Sequence, residues 1–332
     1  MKKHLITLAK ITISVAILAC LFFLATRKDG GEAFFRMLAQ EKRWGLLAAS
    51  WGVATVAIVL TMIRWCYLVR AVKIAFPMRD AMRIGFLGYL FNLAPMGIVG
   101  GDLLKAVMLA RERPGNRAKA VASVVVDRII GLYVLFLVAT AGIFLTPYWT
   151  SPIAGIHLIC QLVLVATAVS TAGIGMVLLT GVLDARWVMA FTRLPRVGPA
   201  IGGLVDAMRL YRSNRRVLLL NCLLTVPVHV LLAISGYLLA RGFRFEAVPF
   251  RDFFAIYPVS SIASTIPLPA GPFESGIVFL YAARLARPPL EGLIVALGLR
   301  LTSLLVAPVG LAYYIRGRGE VGEVMHEADS RA

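Results

Sequence analysis

Residues 91–105 read FNLAPMGIVGGDLLK, and apolar sequence surrounds them. A Pro removes a backbone donor and clashes with the preceding helical turn, while Gly lowers helix propensity. Broken backbone at membrane depth is tolerated only where protein buries it or where it lines a wet cavity. We therefore predict that residues 84–110 form a broken or re-entrant hairpin. The stretch also holds an Asp and a Lys, which in such a place are functional-site candidates.

The composition is that of a membrane protein. The chain has 332 residues, of which 59% are hydrophobic and 16% charged, with a mean hydropathy of +0.82. Several apolar runs approach the 20 residues that a helix needs to cross a bilayer. A soluble two-domain protein would need more charge for its surface. We expect an all-α polytopic protein of about six full spans plus two broken hairpins, or about eight helices if each hairpin counts as one.

The net charge of +18 does not indicate a nucleic-acid partner, because the basic residues lie between apolar runs. The positive-inside rule and attraction to anionic headgroups produce this placement. Membrane lipids are therefore the expected partners. The cysteines and histidines are scattered without metal-ligand or redox spacing, so we expect no metal and no cofactor.

The charges also predict the topology, which is that of a multi-pass protein of a bacterial-type inner membrane with both termini cytoplasmic. Residues 5–25 resemble a signal peptide, but this run is longer than a usual signal core, so we expect an uncleaved first helix. Basic residues lie on both sides of 84–110, and the chargeless loop 146–152 follows the next span. A hairpin at 84–110 keeps the basic residues inside and that loop outside.

The second span, 44–68, has aromatic residues at both ends, as an interfacial belt requires. Arg64 lies among the aromatic residues at its inner end, and we interpret it as part of that belt. The most basic loop of the chain spans 181–216 and is predicted to be cytoplasmic, with a surface helix over 200–213.

The two interrupted stretches superpose without gaps at an offset of 172 residues. The positions that match are polar or Pro residues, which are rare in this chain. Pro95 falls on Pro267, Asp102 on Glu274, and Arg128 on Arg300; Pro77, Arg79 and Asp80 likewise fall on Pro249, Arg251 and Asp252. Under the predicted topology the two halves run in opposite directions. Paired broken segments in inverted halves indicate the central site of a transporter.

The resulting organisation is one transmembrane domain, 1–316, and a short disordered cytoplasmic tail, 317–332. The first repeat covers about 44–145, the second about 217–315, and a linking span lies at 155–180. The predicted structural breaks are Pro95, Gly97, Gly100, Gly101, Pro267, Pro269, Gly271 and Pro272.

Asp102 and Glu274 lie just past the two breaks, where capping of a helix N-terminus is one role open to them. The other is to bind a cation or an amine headgroup, or to carry a proton. Arg300 lies near the middle of the last span, so it should have an acidic partner or a lipid phosphate. Arg128 either pairs with the adjacent Asp127 or joins this site.

Lys105 and Arg111 could bind the same anionic headgroup from the cytoplasmic side. The full set of candidate lipid- or substrate-binding residues is Asn92, Asp102, Lys105, Arg111, Asp127, Arg128, Glu274 and Arg300.

Three segments resemble the transmembrane, flippase-like domain of the lysylphosphatidylglycerol synthase family. They are NLAP at 92–95 with GGDLLK at 100–105, ASVVVDRIIG at 122–131, and PVSSIAS at 258–264 with PLPAGP at 267–272 followed by Glu274. The resemblance covers about residues 5–315 and implies a membrane unit that moves an aminoacylated lipid between leaflets. Full-length members carry a soluble synthase domain after this unit. The chain stops at 332 without it, so we expect no synthase activity.

The sequence thus predicts a lipid translocase for an anionic or zwitterionic phospholipid or a lipid-linked precursor. One alternative is a membrane-embedded lipid-modifying transferase, which would need a cluster of acids or a His at one face. The other is a non-catalytic partner that recruits a separate lipid- or glycan-synthesis enzyme through 181–216.

Overall fold

The structure is a computed structural model that describes residues 2–27, 30–93, 97–192, 198–245, 248–266, 268 and 270–317. Throughout this part of the chain the regular structure is helical, and it contains no β-strand. The all-α polytopic class predicted from composition is therefore confirmed. The predicted tail lies outside the described residues from position 318 onward.

The helices follow one another with short connections. They are α1 Lys2–Thr26, α2 Gly30–Ala39, α3 Trp44–Ala71, α4 Met78–Leu93, α5 Gly97–Glu112, α6 Arg117–Leu145, α7 Ala154–Leu179, α8 Arg186–Thr192, α9 Gly198–Ser213, α10 Arg215–Gly242, α11 Phe253–Ala263, α12 Pro272–Arg284, α13 Pro289–Leu304 and α14 Ala307–Arg316. Single 3-10 turns lie at Val182–Asp184 and Phe250–Asp252.

Six helical segments of the described chain are long and apolar enough to cross a bilayer, as predicted. They are Ala9–Thr26, Trp44–Ala71, Arg117–Leu145, Ala154–Leu179, Arg215–Gly242 and Pro289–Arg316. The last of these combines α13 and α14. In the other five spans a continuous helix pairs the backbone groups of its interior within the segment, which the hydrocarbon core demands.

The interrupted stretches form two helical hairpins. α4 and α5 have 16 residues each, and α11 and α12 have 11 and 13. At about 1.5 Å per residue, none of the four matches the roughly 30 Å core of a bilayer. The arms of each hairpin pack against one another. An ion pair between Arg83 and Glu112 closes the open end of the first hairpin.

The positions of the breaks are partly corrected. Gly271 is the N-cap of α12 and Pro272 its first residue, as predicted. Gly97 begins α5, but Gly100 and Gly101 lie inside that helix and do not break it. Gly101 is instead required by packing, because a Cβ there would clash with the carbonyl oxygen of Gly88 on α4. The predicted breaks Pro95, Pro267 and Pro269 lie outside the described residues.

α3 and α10 pack against each other along their lengths and run antiparallel. Ser50, near the start of α3, exchanges hydrogen bonds of 2.8 and 3.0 Å with Ser235, near the end of α10. Further along, Arg64 of α3 donates to Thr225 of α10 at 2.8 Å. The two hairpins pack on the helices around this pair: α4 contacts α14, and α11 contacts α6.

Two glycines allow the hairpins to approach their neighbours closely. A Cβ at Gly142 on α6 would clash with the carbonyl oxygen of Phe254 on α11. A Cβ at Gly310 on α14 would clash in the same way with the carbonyl oxygen of Phe86 on α4. Small residues at such contacts let helices meet backbone to backbone in a membrane.

We expect Gly142→Ala and Gly310→Ala each to destabilise the protein by about 1–3 kcal/mol, because the added methyl group forces the packed backbones apart. Gly52→Ala in α3 is the matched control, since a Cβ there meets nothing within 4 Å. Thermal melting of the purified protein in detergent measures the effect. Equal melting temperatures for all three variants would contradict the packing described here.

Candidate functional site

Glu274 and Arg300 form a buried ion pair beside the second hairpin. The Glu274 side chain is 1% exposed, and its Oε1 accepts hydrogen bonds from Nε and Nη2 of Arg300 at 2.9 and 2.6 Å. Its Oε2 accepts the N–H of Gly271 at 2.7 Å. Glu274 therefore caps α12 and also holds Arg300. The capping role considered from the sequence is present, and Arg300 has the acidic partner that its depth required. Binding of a cation or an amine headgroup by Glu274 stays a prediction.

The local backbone explains why Glu274 can reach both partners. Gly271 adopts φ +113°, a conformation that favours glycine, and turns the chain into α12. Glu274 follows three residues later, which is the spacing of a capping box. The helix N-terminus adds a favourable dipole interaction with the carboxylate.

Asp102 and Arg128 form the corresponding ion pair beside the first hairpin. The Asp102 side chain is 15% exposed and that of Arg128 is 46% exposed. Because α5 begins at Gly97, Asp102 lies in its second turn, so the capping role considered for it is wrong. Lys105 lies one turn further along, with Nζ 4.0 Å from Asp102 Oδ1 and 5.5 Å from the centre of the Trp65 ring.

The two ion pairs occupy equivalent places. In each the Arg follows the acid by 26 residues. Arg128 and Arg300 each lie eleven residues after the first residue of their spans, Arg117–Leu145 and Pro289–Arg316. That distance is about 16 Å along a helix, close to half of the hydrocarbon thickness. The four residues that match at an offset of 172 thus form two equivalent ion pairs, Asp102–Arg128 and Glu274–Arg300.

A third ion pair was not predicted from the sequence. Arg64 is buried, and its Nη2 lies 2.7 Å from Oδ1 of Asp127. The same guanidinium donates to Thr225 Oγ1 at 2.8 Å and to the Asp127 carbonyl oxygen at 3.2 Å. The interpretation of Arg64 as an interfacial residue is therefore wrong, and so is the pairing of Asp127 with Arg128. The signal for Arg64 was its place in an otherwise uncharged run, where an Arg is a site candidate by default.

Asn92 and Arg111 have other surroundings. The Asn92 side-chain oxygen accepts the N–H of Gly101 at 3.1 Å, which links the two arms of the first hairpin. Arg111 lines a cavity of about 190 Å³ with Arg117 and Val121. The structure thus brings Asp102, Lys105 and Arg128 together and gives Arg111 a place at the far end of α5.

A small polar cavity adjoins the Glu274–Arg300 pair. Its volume is about 160 Å³, room for about five water molecules or one phosphate-sized group. Arg300 lines it together with Tyr257, Ser261 and Ser303. The Ser261 hydroxyl is buried in the wall of this cavity, next to Tyr257. Nε and Nη2 of Arg300 face Glu274, which leaves Nη1 for a ligand in this cavity.

The Arg64–Asp127 pair should carry stability. We expect Asp127→Asn to destabilise the protein by about 3–5 kcal/mol, because it leaves the buried Arg64 guanidinium without its counter-charge. Asp184→Asn is the control, since the Asp184–Arg209 pair is exposed at the surface and such pairs contribute about 0–1 kcal/mol. Thermal melting in detergent separates the two. A melting temperature for Asp127→Asn equal to that of Asp184→Asn would refute a structural role for the buried pair.

A family model matches most of the chain. No curated protein and no solved structure matches the chain significantly. The family model described as the lysylphosphatidylglycerol synthase TM region matches residues 11–310, which include both hairpins and the three ion pairs described above. The chain therefore belongs to the family of the lysylphosphatidylglycerol synthase transmembrane region.

Proposed function

We propose that the chain translocates an anionic or zwitterionic phospholipid, or a lipid-linked precursor, between the two leaflets. The observation that carries this proposal is the repeated carboxylate–Arg pair, present once in each half at the same depth of its span. The family assignment supports a membrane protein of lipid metabolism. The geometry supports translocation of a lipid in particular, because each charged group of such a pair can exchange its partner in the protein for a charged group of a lipid headgroup.

The packing supports an inverted repeat of about 44–145 and 217–315. Equivalent helices of inverted halves run in opposite directions, as α3 and α10 do. In such a repeat α4 is equivalent to α11, and α6 is equivalent to α13 with α14. The contact of α4 with α14 in the structure then has its equivalent in the contact of α11 with α6. One hairpin would then enter from the cytoplasmic side and the other from the outside. Each leaflet would have its own half-site, by which we mean the Asp102–Arg128 pair in one half and the Glu274–Arg300 pair in the other.

The chemistry of one half-site follows from its hydrogen bonds. A lipid phosphate entering the cavity beside Arg300 competes with Glu274 for the guanidinium, since Arg binds phosphate through paired N–H donors. Glu274 keeps the N–H of Gly271 and is then free to bind the amine of a zwitterionic or aminoacylated headgroup. Ser261 and Tyr257 offer further hydroxyl groups to the headgroup.

The Asp102–Arg128 half-site also offers one carboxylate and one guanidinium, and its arginine is more exposed than Arg300. Arg128 is nearly half exposed, while Asp102 is largely covered and has Lys105 within 4.0 Å. A headgroup released by one half can be received by the other with the same chemistry. No net charge is left unpaired when the lipid departs, because each Arg returns to its carboxylate.

The transferase alternative finds less support in the described residues. It requires acids that are free to act on a substrate at one membrane face. Asp127 is held by Arg64, Asp102 by Arg128, and Glu274 by Arg300, so the candidate acids are each bound to an arginine. As a second proposal, loop 181–216 recruits a separate lipid- or glycan-synthesis enzyme, and this role is compatible with translocation.

Substitution within either pair should abolish translocation. Fluorescent phosphatidylglycerol in proteoliposomes should equilibrate between leaflets with wild-type protein, and at least tenfold more slowly with Arg300→Gln, Glu274→Gln or Asp102→Asn, because each change removes one charge of a half-site. Arg244→Gln is the control, since Arg244 pairs with Glu41 at the exposed surface. The rate is read from the fraction of fluorophore accessible to external dithionite.

Two results would count against the proposal. Equal rates for wild-type protein and empty liposomes across anionic and zwitterionic headgroups would remove translocation of ordinary phospholipids. Wild-type rates in the three variants, with protein that melts at the wild-type temperature, would show that the ion pairs take no part in translocation.

The inverted repeat makes its own prediction about orientation. Arg79 and Arg251 match at the offset of 172, and both are exposed. In a cysteine-free background, Arg251→Cys should react with a membrane-impermeant maleimide in intact cells, and Arg79→Cys only after permeabilisation. Reaction of both residues from the same side would show that the halves are not inverted.

A further inference from the structure

A large apolar groove lies between α6, α7 and α10, away from the polar cavity of the second hairpin. Its volume is about 870 Å³. Apolar side chains form the walls: Ile130 comes from α6, Ile174 and Val177 from α7, and Leu218 from α10. None of its lining residues in the described chain is acidic.

The end of the groove is closed by α9, which is fixed in place. Met208 and Tyr211 of α9 line the groove. Tyr211 donates a hydrogen bond of 2.9 Å to the carbonyl oxygen of Leu68 on α3. Asp184, which follows α7, forms ion pairs of 2.8 and 3.6 Å with Arg209 and Arg212 of α9 at the exposed surface. The groove is therefore bounded at this end by α9.

The same end carries two arginines. Arg215 and Arg216 both line the groove at the first turn of α10. Nη2 of Arg215 donates to the carbonyl oxygen of Leu178 at 2.9 Å, which places its guanidinium at the gap between α10 and α7. Arg216 is exposed and forms no ion pair with the described residues.

We propose that this groove binds an anionic phospholipid, with an acyl chain against the apolar walls and the phosphate on Arg215 and Arg216. Arg binds phosphate through paired N–H donors, and the absence of lining acids leaves the positive field uncompensated. The charge distribution assigns this end to the cytoplasmic side, where anionic headgroups attract basic residues. A second copy of this chain fits less well, because each copy carries a net charge of +18 and presents the same two arginines.

The proposal is independent of translocation, because it concerns retention of a lipid and not its movement. Gly173 of α7 lines the groove, and a Cβ there meets nothing within 4 Å, so Gly173→Phe places an aromatic ring in the groove without a clash at its Cβ. Gly175 lies on the same helix, also has open space around it, and does not line the groove, which makes Gly175→Phe the matched control.

Native mass spectrometry of the purified full chain in detergent tests the proposal. The probe is an equal mixture of phosphatidylglycerol and phosphatidylcholine with the same acyl chains. Wild-type protein and Gly175→Phe should retain phosphatidylglycerol in preference to phosphatidylcholine. Gly173→Phe should lose this adduct. Arg216→Gln should retain it about three- to tenfold less, as the loss of one partly screened Arg–phosphate contact implies.

Arg79→Gln, which also removes one exposed positive charge, should behave as wild type. Equal retention of the two lipids by wild-type protein would overturn recognition of an anionic headgroup. Equal retention by Gly173→Phe and Gly175→Phe would overturn the location. A dimer that forms in wild type and disappears in Gly173→Phe would show that a second copy, and not a lipid, occupies the groove.

Discussion

A charge within a membrane protein must have a counter-charge, and this requirement organises both halves of the chain. The cost of an unpaired ion in a medium of low dielectric is several kcal/mol, which exceeds the contribution of most single contacts. Each half meets it with one carboxylate from a hairpin and one arginine from the following span. The ion pairs thereby tie the short hairpins to the long helices, and under the proposed function they are the groups that would meet a lipid headgroup.

The hairpins add a second constraint, because interrupted backbone must be covered by protein. Glycine contacts provide this cover: Gly101 meets Gly88 within the first hairpin, and Gly142 and Gly310 let α6 and α14 approach the hairpin arms. The antiparallel α3 and α10 hold the two halves together through Ser50 and Ser235. The apolar groove is lined by α6, which also carries Arg128 of the Asp102–Arg128 pair, so the two sites proposed for lipid share one helix.

Sequence patterns predicted the spans, the hairpins and four members of the two equivalent ion pairs, because polar residues are rare in this chain and therefore stand out. They did not predict which residues pair. Asp127 and Arg128 are neighbours in sequence, but adjacent residues of a helix do not face each other, and Asp127 turns to Arg64 instead. Arg64 was missed because an Arg near the end of a span is typical of an interface. Gly100 and Gly101 were assigned to a break because propensity does not include the tertiary contact that keeps Gly101 in a helix.

A double-mutant cycle on Glu274→Gln and Arg300→Gln measures whether a carboxylate and its arginine act as one unit in the proposed lipid translocation. The rate of phosphatidylglycerol equilibration in proteoliposomes is compared for wild-type protein, the two single variants and the double variant. We expect the double variant to be no slower than the slower single variant, because either change alone already disables the pair. Multiplication of the two single effects in the double variant would show instead that the two residues act independently.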